Sequence, residues 1–251
     1  GFGTDAKMYD SSFGWRFINP KMQKMYGTDG MGNTAENLVE KYNISREDQD
    51  KFAYWSQMKA SKAQENGRLA KEIVTVEIPQ RKKDPILFSK DEFVKPNTSL
   101  DVLAKLRGAF KAEGGSVTAG NSSGLNDGAA ATIIASKDAV KKYNLKPLAR
   151  IVAHARHSRL PKDFSIAPIG AIEKVLAKSG WKSDDVDLYE INEAFAAVTM
   201  LATKEFNLDP SKVNVHGGAC AVGHPIGSTG SRIIVSLMHQ LAEYGKDKGI
   251  A

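Results

Sequence analysis

The sequence contains a single cysteine, Cys220, among its 251 residues. One thiol excludes an internal disulfide framework and any metal site built from several cysteines. A chain without disulfides is typical of a reducing compartment. We therefore expect a cytoplasmic protein, with a mitochondrial or peroxisomal location left open.

Long apolar runs are also absent, because charged residues or glycine interrupt every stretch before about 18 residues, the length that a membrane helix requires. No membrane span is therefore expected. The first residues, Gly1 to Asp5, include neither a basic start nor an apolar segment, so no signal peptide is visible. They also lack an initiator methionine, which leads us to expect that the true start lies upstream.

Neither sign of charge dominates strongly, since 35 Lys and Arg residues stand against 29 Asp and Glu residues, for a formal net charge of +6. Because the basic residues are scattered among acidic ones, we expect no nucleic acid partner. A small molecule that carries phosphate fits the modest positive charge as well. With 41% hydrophobic residues, the chain is expected to fold rather than remain disordered.

Hydrophobic periodicity changes near residue 126. Before that point the pattern predicts amphipathic helices that begin at caps Thr34 and Ser45, a strand at 73–78 and a helix at 100–110. The second of the two capped helices is expected to stop at Gly67.

After residue 126, strands and helices alternate. Predicted strands lie at 130–135, 148–153, 186–191 and 213–215, and predicted helices at 136–143, 168–180, 193–206 and 233–241. Such alternation is typical of a layered α/β domain. Residues 249–251 look like a strand that is never completed, which again favours a piece of a longer chain.

The segment 214–230 contains five glycines. Glycine weakens helices and strands, so a segment this rich in it favours a loop that a ligand approaches closely. His224 lies within it, between Gly223 and Pro225, where a strand gives way to a helix. The alternative interpretation is tight packing around a hydrogen-bonded structural histidine, and the flanking sequence decides between the two.

Four motifs accompany that histidine in chain order. Residues 223–232 read Gly-His-Pro-Ile-Gly-x-x-Gly-x-Arg, and residues 192–197 read Asn-Glu-Ala-Phe-Ala-Ala. Residues 118–130 read Thr-Ala-Gly-Asn-Ser-Ser-Gly-Leu-Asn-Asp-Gly-Ala-Ala, and residues 31–37 read Met-Gly-Asn-Thr-Ala-Glu-Asn. Together they resemble the signatures of the thiolase family over essentially the whole chain.

This resemblance implies an acyltransferase, of the acetyl-CoA C-acyltransferase or acetyltransferase type, that moves an acyl group between coenzyme A thioesters through an acyl-cysteine. His224 resembles the histidine that activates the nucleophilic thiol and lines an oxyanion hole, a role suited to a group that titrates near neutral pH. Asn192 resembles the asparagine that holds a water in the second oxyanion hole.

In the family, the nucleophilic cysteine lies upstream of the segment seen here, and the acid/base cysteine follows a sequence like that of residues 249–251. Both are therefore expected outside residues 1–251, which alone are expected to be inactive. Cys220 matches neither and is interpreted as a small buried residue.

The resemblance also implies a binding site for coenzyme A as co-substrate, with no metal and no covalently bound cofactor. Ser123 corresponds to a contact of the pantetheine arm, Lys95 to a basic residue near the nucleotide phosphates, and Phe110 to a wall beside the adenine. The residues at positions that line the acyl pocket are Met31, Phe164 and Phe195. Each of the aromatic residues could equally belong to the core. Two departures from the common pattern, Gly30 before Met31 and Val102 near the CoA site, leave acyl-chain preference open.

The implied fold is the α/β thiolase fold, a layered α-β-α-β-α arrangement with a loop domain, incomplete here. Residues 1–125 would form a loop domain that covers CoA, residues 126–147 the end of the N-terminal half, and residues 148–251 most of the C-terminal half. The expected assembly is a homodimer or homotetramer. Two other functions stay open: a CoA-binding member that has lost catalysis, and a thioester hydrolase that uses Cys220 with His224.

Overall fold

The computed structural model describes Thr4, Met8 and residues 14–251. Phe13, which the sequence pattern groups with other aromatic residues before residue 30, lies outside the described residues. The helices are α1 Pro20–Tyr26, α2 Met31–Tyr42, α3 Arg46–Glu65, α4 Leu100–Ala104, α5 Lys137–Lys142, α6 Ala167–Ser179, α7 Ala196–Glu205, α8 Ala219–Val222 and α9 Ile226–Tyr244. The strands are β1 Val76–Gln80, β2 Lys83–Phe88, β3 Leu188–Tyr189 and β4 Gly249–Ile250. Short 3-10 turns lie at Leu69–Lys71, Pro161–Ile166, Ser183–Asp185 and Pro210–Lys212.

Local capping explains several helix ends. The Ser45 hydroxyl accepts from the Asp48 amide at 3.0 Å, so α3 begins where the sequence predicts. Helix α2 begins three residues earlier than predicted, because Gly30 is its N-cap and Thr34 instead donates its hydroxyl to the Met31 carbonyl at 2.7 Å. Helix α1 was not predicted, although Asn19 caps it by accepting from two backbone amides.

The predicted helix 100–110 is confirmed only over its first turn. Arg46, on α3, donates to the carbonyls of Leu103 and Leu106 at 2.7 and 2.8 Å. This long-range side chain satisfies carbonyls that a continuing helix would have used, so α4 ends at Ala104.

The predicted strands at 130–135 and 148–153 are not strands in the structure. A strand needs a neighbouring backbone for its hydrogen bonds, and neither segment has one within the part of the chain that the structure describes. Their apolar side chains are accordingly exposed, Ile133 at 97% and Ile134 at 77%. The two paired sheets are small: β1 and β2 form an antiparallel hairpin, and β3 pairs with β4 in parallel.

The largest buried cluster of apolar side chains surrounds β3. Tyr189 and Ile191 pack there between α6, through Ile172 and Leu176, and α7, through Ala202. A second cluster joins α2 to the beginning of α7, where Val39 and Phe195 are members. These two clusters hold the segment 190–195 between them, so the Asn-Glu-Ala-Phe motif lies on a rigid base.

Among the described residues, no helix is long and apolar enough to cross a membrane.

Candidate active site

The chain turns sharply where β3 ends, and Asn214 holds that corner. Its side-chain amide exchanges two hydrogen bonds of 2.8 Å with the backbone of Ile191, as a neighbouring strand would. The same amide donates to the Glu193 carboxyl group at 2.8 Å. Asn214 adopts φ +45°, a left-handed conformation that asparagine tolerates better than most residues. The corner that presents Asn192 is therefore fixed on both sides.

Glu193 is buried and ties this corner to two distant segments. Its carboxyl group accepts from the Ser56 hydroxyl on α3 at 2.7 Å and from the Cys220 amide in the glycine-rich turn at 3.1 Å. Ser56 also accepts from the Gly218 amide at 3.0 Å. The second position of the Asn-Glu-Ala-Phe motif is thus a buried connector, which satisfies several polar groups at once.

Two glycines of the turn are required by close approach. A Cβ at Gly218 would lie 2.4 Å from the carboxyl carbon of Glu193. Gly223 has φ +90°, and a Cβ there would lie 2.1 Å from Oδ1 of Asn126. The glycine content therefore allows the turn to lie against both Glu193 and residues 124–126.

His224 follows directly and is held at three atoms. Its backbone amide donates to the Gly124 carbonyl at 3.1 Å. Nδ1 lies 2.7 Å from the Thr229 hydroxyl, and Nε2 lies 3.4 Å from Nδ2 of Asn192. The structure thus brings together His224 and Asn192, which the sequence predicted as a catalytic pair.

Thr229 selects the tautomer of the imidazole. Its hydroxyl donates its one proton to the Pro225 carbonyl at 3.0 Å, so toward His224 it acts as an acceptor. The imidazole proton then resides on Nδ1, and Nε2 keeps a free electron pair that faces the Asn192 amide. Burial lowers the pKa of His224 below its ordinary value, and the charge of Arg232 lowers it further. The ring is therefore neutral and ready to accept a proton at Nε2.

We expect Thr229→Val to release this selection, because valine keeps the shape and removes the acceptor. The 15N shifts of the His224 ring should change from those of an Nδ1-protonated imidazole to those of a mixture of tautomers. Thr229→Ser, which retains the hydroxyl, is the matched control and should keep the original shifts. Identical ring shifts in the Thr229→Val variant and the unsubstituted protein would contradict the assigned role.

The Asn192 amide is the second half of the pair. Its Oδ1 is buried and has no hydrogen-bond partner among the described residues, while its Nδ2 faces His224. Since a buried carbonyl oxygen without a partner costs about 1–3 kcal/mol, this atom is suited to bind a water or a substrate group.

The remaining predicted residues lie along the same side of the molecule. One broad depression is lined by Met31, Lys95, Phe110, Ser123, Phe164, Asn192, Phe195 and His224. Ser123 lies beside the Asn-Glu-Ala-Phe corner, because its hydroxyl and its amide both donate to the Ala194 carbonyl, at 3.0 and 3.1 Å. The Phe110 and Phe195 rings meet edge to face with centroids 6.0 Å apart. The roles of these residues in binding stay predictions.

Lys95 is exposed, and its ammonium group lies 4.7 Å from the centroid of the Phe93 ring. Its backbone amide donates to Gln57 at 2.8 Å, and the same Gln57 donates to the Cys220 carbonyl at 3.0 Å. A buried glutamine of α3 therefore connects the predicted phosphate contact with the glycine-rich turn.

Cys220 is buried, and its thiol points at the Glu193 carbonyl, 3.7 Å away. Burial raises the pKa of this thiol well above its ordinary value, and the neighbouring Glu193 raises it further. Both nitrogens of His224 face other groups, namely Thr229 and Asn192. No observation therefore favours the hydrolase in which Cys220 acts with His224.

Sequence reasoning missed three residues of the site: Thr229, Asn214 and Gln57. Thr229 carried a recognisable pattern, since a hydroxyl residue five positions after a histidine and within the first turn of a helix can reach the ring. The other two carried no local pattern, because their contacts depend on segments far apart in the chain.

Comparison with known proteins decides the family. The family model of the thiolase N-terminal domain matches residues 6–138, and that of the thiolase C-terminal domain matches residues 145–251. The chain belongs to the thiolase family.

Relatives and solved structures agree with this thiolase assignment. The chain is 48% identical over 246 residues to a beta-ketoadipyl-CoA thiolase of Acinetobacter baylyi, which covers 97% of the chain and 61% of that protein. It is 49% identical over 241 residues to a probable acetyl-CoA acyltransferase of Staphylococcus aureus, covering 92% of the chain and 61% of that protein. The chain thus spans about three fifths of the length of these relatives.

The crystal structure of the Bacillus anthracis acetyl-CoA acetyltransferase matches with a TM-score of 0.88 and 43% identity, over 99% of this chain and 62% of that one. Human mitochondrial 3-ketoacyl-CoA thiolase matches with a TM-score of 0.79 and 42% identity, over 86% of this chain and 54% of that one. The predicted α/β thiolase fold is therefore confirmed.

Proposed function

We propose that the full-length protein transfers an acyl group between coenzyme A and a 3-ketoacyl-CoA through an acyl-cysteine. The observation that carries this proposal is the neutral His224 imidazole, whose Nε2 lies 3.4 Å from the Asn192 amide beside an open depression. Proteins named as thiolases and acyltransferases, 48–49% identical to this chain, support the same chemistry.

In the proposed reaction, Nε2 of His224 accepts the proton of a cysteine thiol supplied from outside residues 1–251. The thiolate attacks the 3-keto carbon, the bond between C2 and C3 breaks, and the acyl group remains on sulfur while acetyl-CoA leaves after protonation at C2. Coenzyme A then attacks the acyl-cysteine and releases the shortened thioester. Amide and imidazole N–H groups stabilise the oxyanions that form in these steps.

We assign binding of the co-substrate to the depression. Lys95 would attract the nucleotide phosphates, Phe110 would lie against the adenine, and Ser123 would contact the pantetheine arm. Met31, Phe164 and Phe195 would surround the acyl chain. Met31 is 54% exposed, which suits a side chain that becomes covered when substrate binds.

We further propose that residues 1–125 form the domain that covers CoA and that residues 126–147 and 148–251 belong to the two halves of the thiolase core. A homodimer or homotetramer and a cytoplasmic location complete the proposal. The sequence supports the location through its single cysteine, which is free.

The proposal is tested by incubating the full-length protein with acetyl-CoA and mapping its peptides by mass spectrometry. We expect one acetyl group on one cysteine other than Cys220, removed again when free coenzyme A is added. Protein alkylated with iodoacetamide beforehand is the control and should gain none. CoA binding without any acyl-cysteine would overturn the proposal and favour a member that has lost catalysis.

A further inference from the structure

Helix α9, which follows His224, carries a polar stripe on a buried face. Arg232, Ser236 and Gln240 are spaced by four residues and therefore lie on one side of the helix. Arg232 forms an ion pair with Glu190 at 3.6 Å, and Gln240 donates to the same carboxyl group at 2.8 Å. Ser236 lies within hydrogen-bonding reach of Glu72. Three consecutive turns of α9 thus contact buried acidic residues.

Glu190 is the centre of this cluster and is only 2% exposed. Burial raises the pKa of Glu190 to about 7, an effect that Arg232 and Gln240 oppose and that the nearby Glu193 and Glu72 reinforce. Two further charged groups face the cluster: Lys59, attracted by Glu190 and Glu193, and Asp91, attracted by Arg232.

Arg232 depends mainly on Glu190 for a partner. Its Nε and Nη2 atoms are buried and have no hydrogen-bond partner among the described residues, whereas Nη1 faces Glu190. An unpaired buried guanidinium is costly, so this contact governs where the helix lies and how strongly the charge is felt nearby.

The two members of the pair are attached to the two halves of the candidate site. Glu190 directly follows β3 and precedes Asn192 by two residues, and Arg232 lies on the helix whose N-terminus carries His224. Any change in the pair therefore shifts the Asn192 corner relative to the His224 end of α9. A displacement of about 1 Å in a catalytic group can cost on the order of 100-fold in rate.

We propose that Glu190 and Arg232 are positioning residues, whose buried ion pair sets the separation between the Asn192 amide and the His224 imidazole and shields His224 from the full charge of Arg232. The part of this inference that concerns rate rests on the proposed acyl transfer. The part that concerns His224 does not.

The test compares Arg232→Met, Arg232→Lys and Glu190→Gln in the full-length protein. The His224 ring is titrated by NMR, with its resonance assigned from the spectrum of His224→Ala. Removing the Arg232 charge should raise the pKa of His224, and removing the negative partner should lower it. Arg232→Lys, which keeps a charge, should restore the pKa of His224 toward that of the unsubstituted protein. Opposite directions in the two uncharged variants are the expected result.

In acyl-transfer assays we expect kcat to fall by roughly 10- to 100-fold in Arg232→Met and Glu190→Gln, with KM for the CoA thioester within about twofold. The acidic limb of the pH profile should move to higher pH in Arg232→Met, because His224 must be neutral to accept a proton. Arg68→Met is the matched control: it removes an ion pair to Glu243 on the same helix, and both the pKa of His224 and kcat should stay unchanged.

Shifts of the His224 pKa in one common direction, or none in any variant, would overturn the inference. A rise in KM with kcat preserved would do the same. If Arg232→Met does not fold, Arg232→Lys and Glu190→Gln carry the comparison alone. If the titrations shift as expected but no variant and no unsubstituted protein transfers an acyl group, the ion pair keeps its effect on His224 and the proposed function fails.

Discussion

Replacing His224 with alanine in the full-length protein should abolish formation of the acyl-enzyme, with a rate loss on the order of 10³-fold or more. The imidazole is neutral, its tautomer is fixed by Thr229, and its free Nε2 faces the Asn192 amide. Alanine removes the proton acceptor without touching Lys95, Ser123 or Phe110. We therefore expect the affinity for coenzyme A to remain within about threefold, since uniform binding is unaffected when only a transition-state contact is lost.

The measurement is a rapid-mixing experiment that follows the burst of acyl-enzyme, combined with calorimetric titration of coenzyme A. His154→Ala provides the control, because this histidine is exposed and only its backbone carbonyl makes a hydrogen bond that the structure shows. A burst of normal amplitude and rate in the His224→Ala protein would show that another group activates the thiol.

The second large effect concerns stability. Glu193→Ala should lower the free energy of unfolding by about 3 to 5 kcal/mol, because it leaves several buried donors without an acceptor. The donors are the Ser56 hydroxyl, the Cys220 amide and the Asn214 side chain, all within 3.1 Å of the carboxyl group. Urea denaturation followed by circular dichroism measures the change.

Two variants control this prediction. Glu193→Gln keeps the shape but turns one oxygen into a donor, so it should lose less than the alanine variant. Glu205→Ala removes an exposed carboxylate at the end of α7 and should change stability by no more than about 0.5 kcal/mol. If Glu193→Ala unfolds at the same urea concentration as Glu205→Ala, the connector role is wrong.

Features with a local cause could be predicted from the sequence. Ser45 caps α3 and Gly180 ends α6 in a left-handed conformation, and both follow from what those residues do in any chain. Residues 192 and 224 were predicted as neighbours because motif resemblance carries long-range information that periodicity lacks. The structure brings their side chains together at 3.4 Å.

Features that depend on distant partners could not be predicted. Residues 130–135 and 148–153 have strand-like composition, but composition supplies no partner for backbone hydrogen bonds, and neither segment pairs in the described chain. The shortening of α4 depends on Arg46, which precedes it by more than fifty residues. The ion pair of Glu190 with Arg232 likewise joins residues whose patterns read simply as strand and helix.

The contacts of α3 with the corner and the turn also bear on the order in which the protein folds. Ser56 reaches Glu193 across 137 residues, and Gln57 reaches Cys220 across 163. Loops of this length are closed at an entropic cost before any contact compensates for it, so such contacts form late and open early. Destabilised chains should consequently keep their helices after losing the arrangement around His224, and partially folded molecules would be helical yet inert.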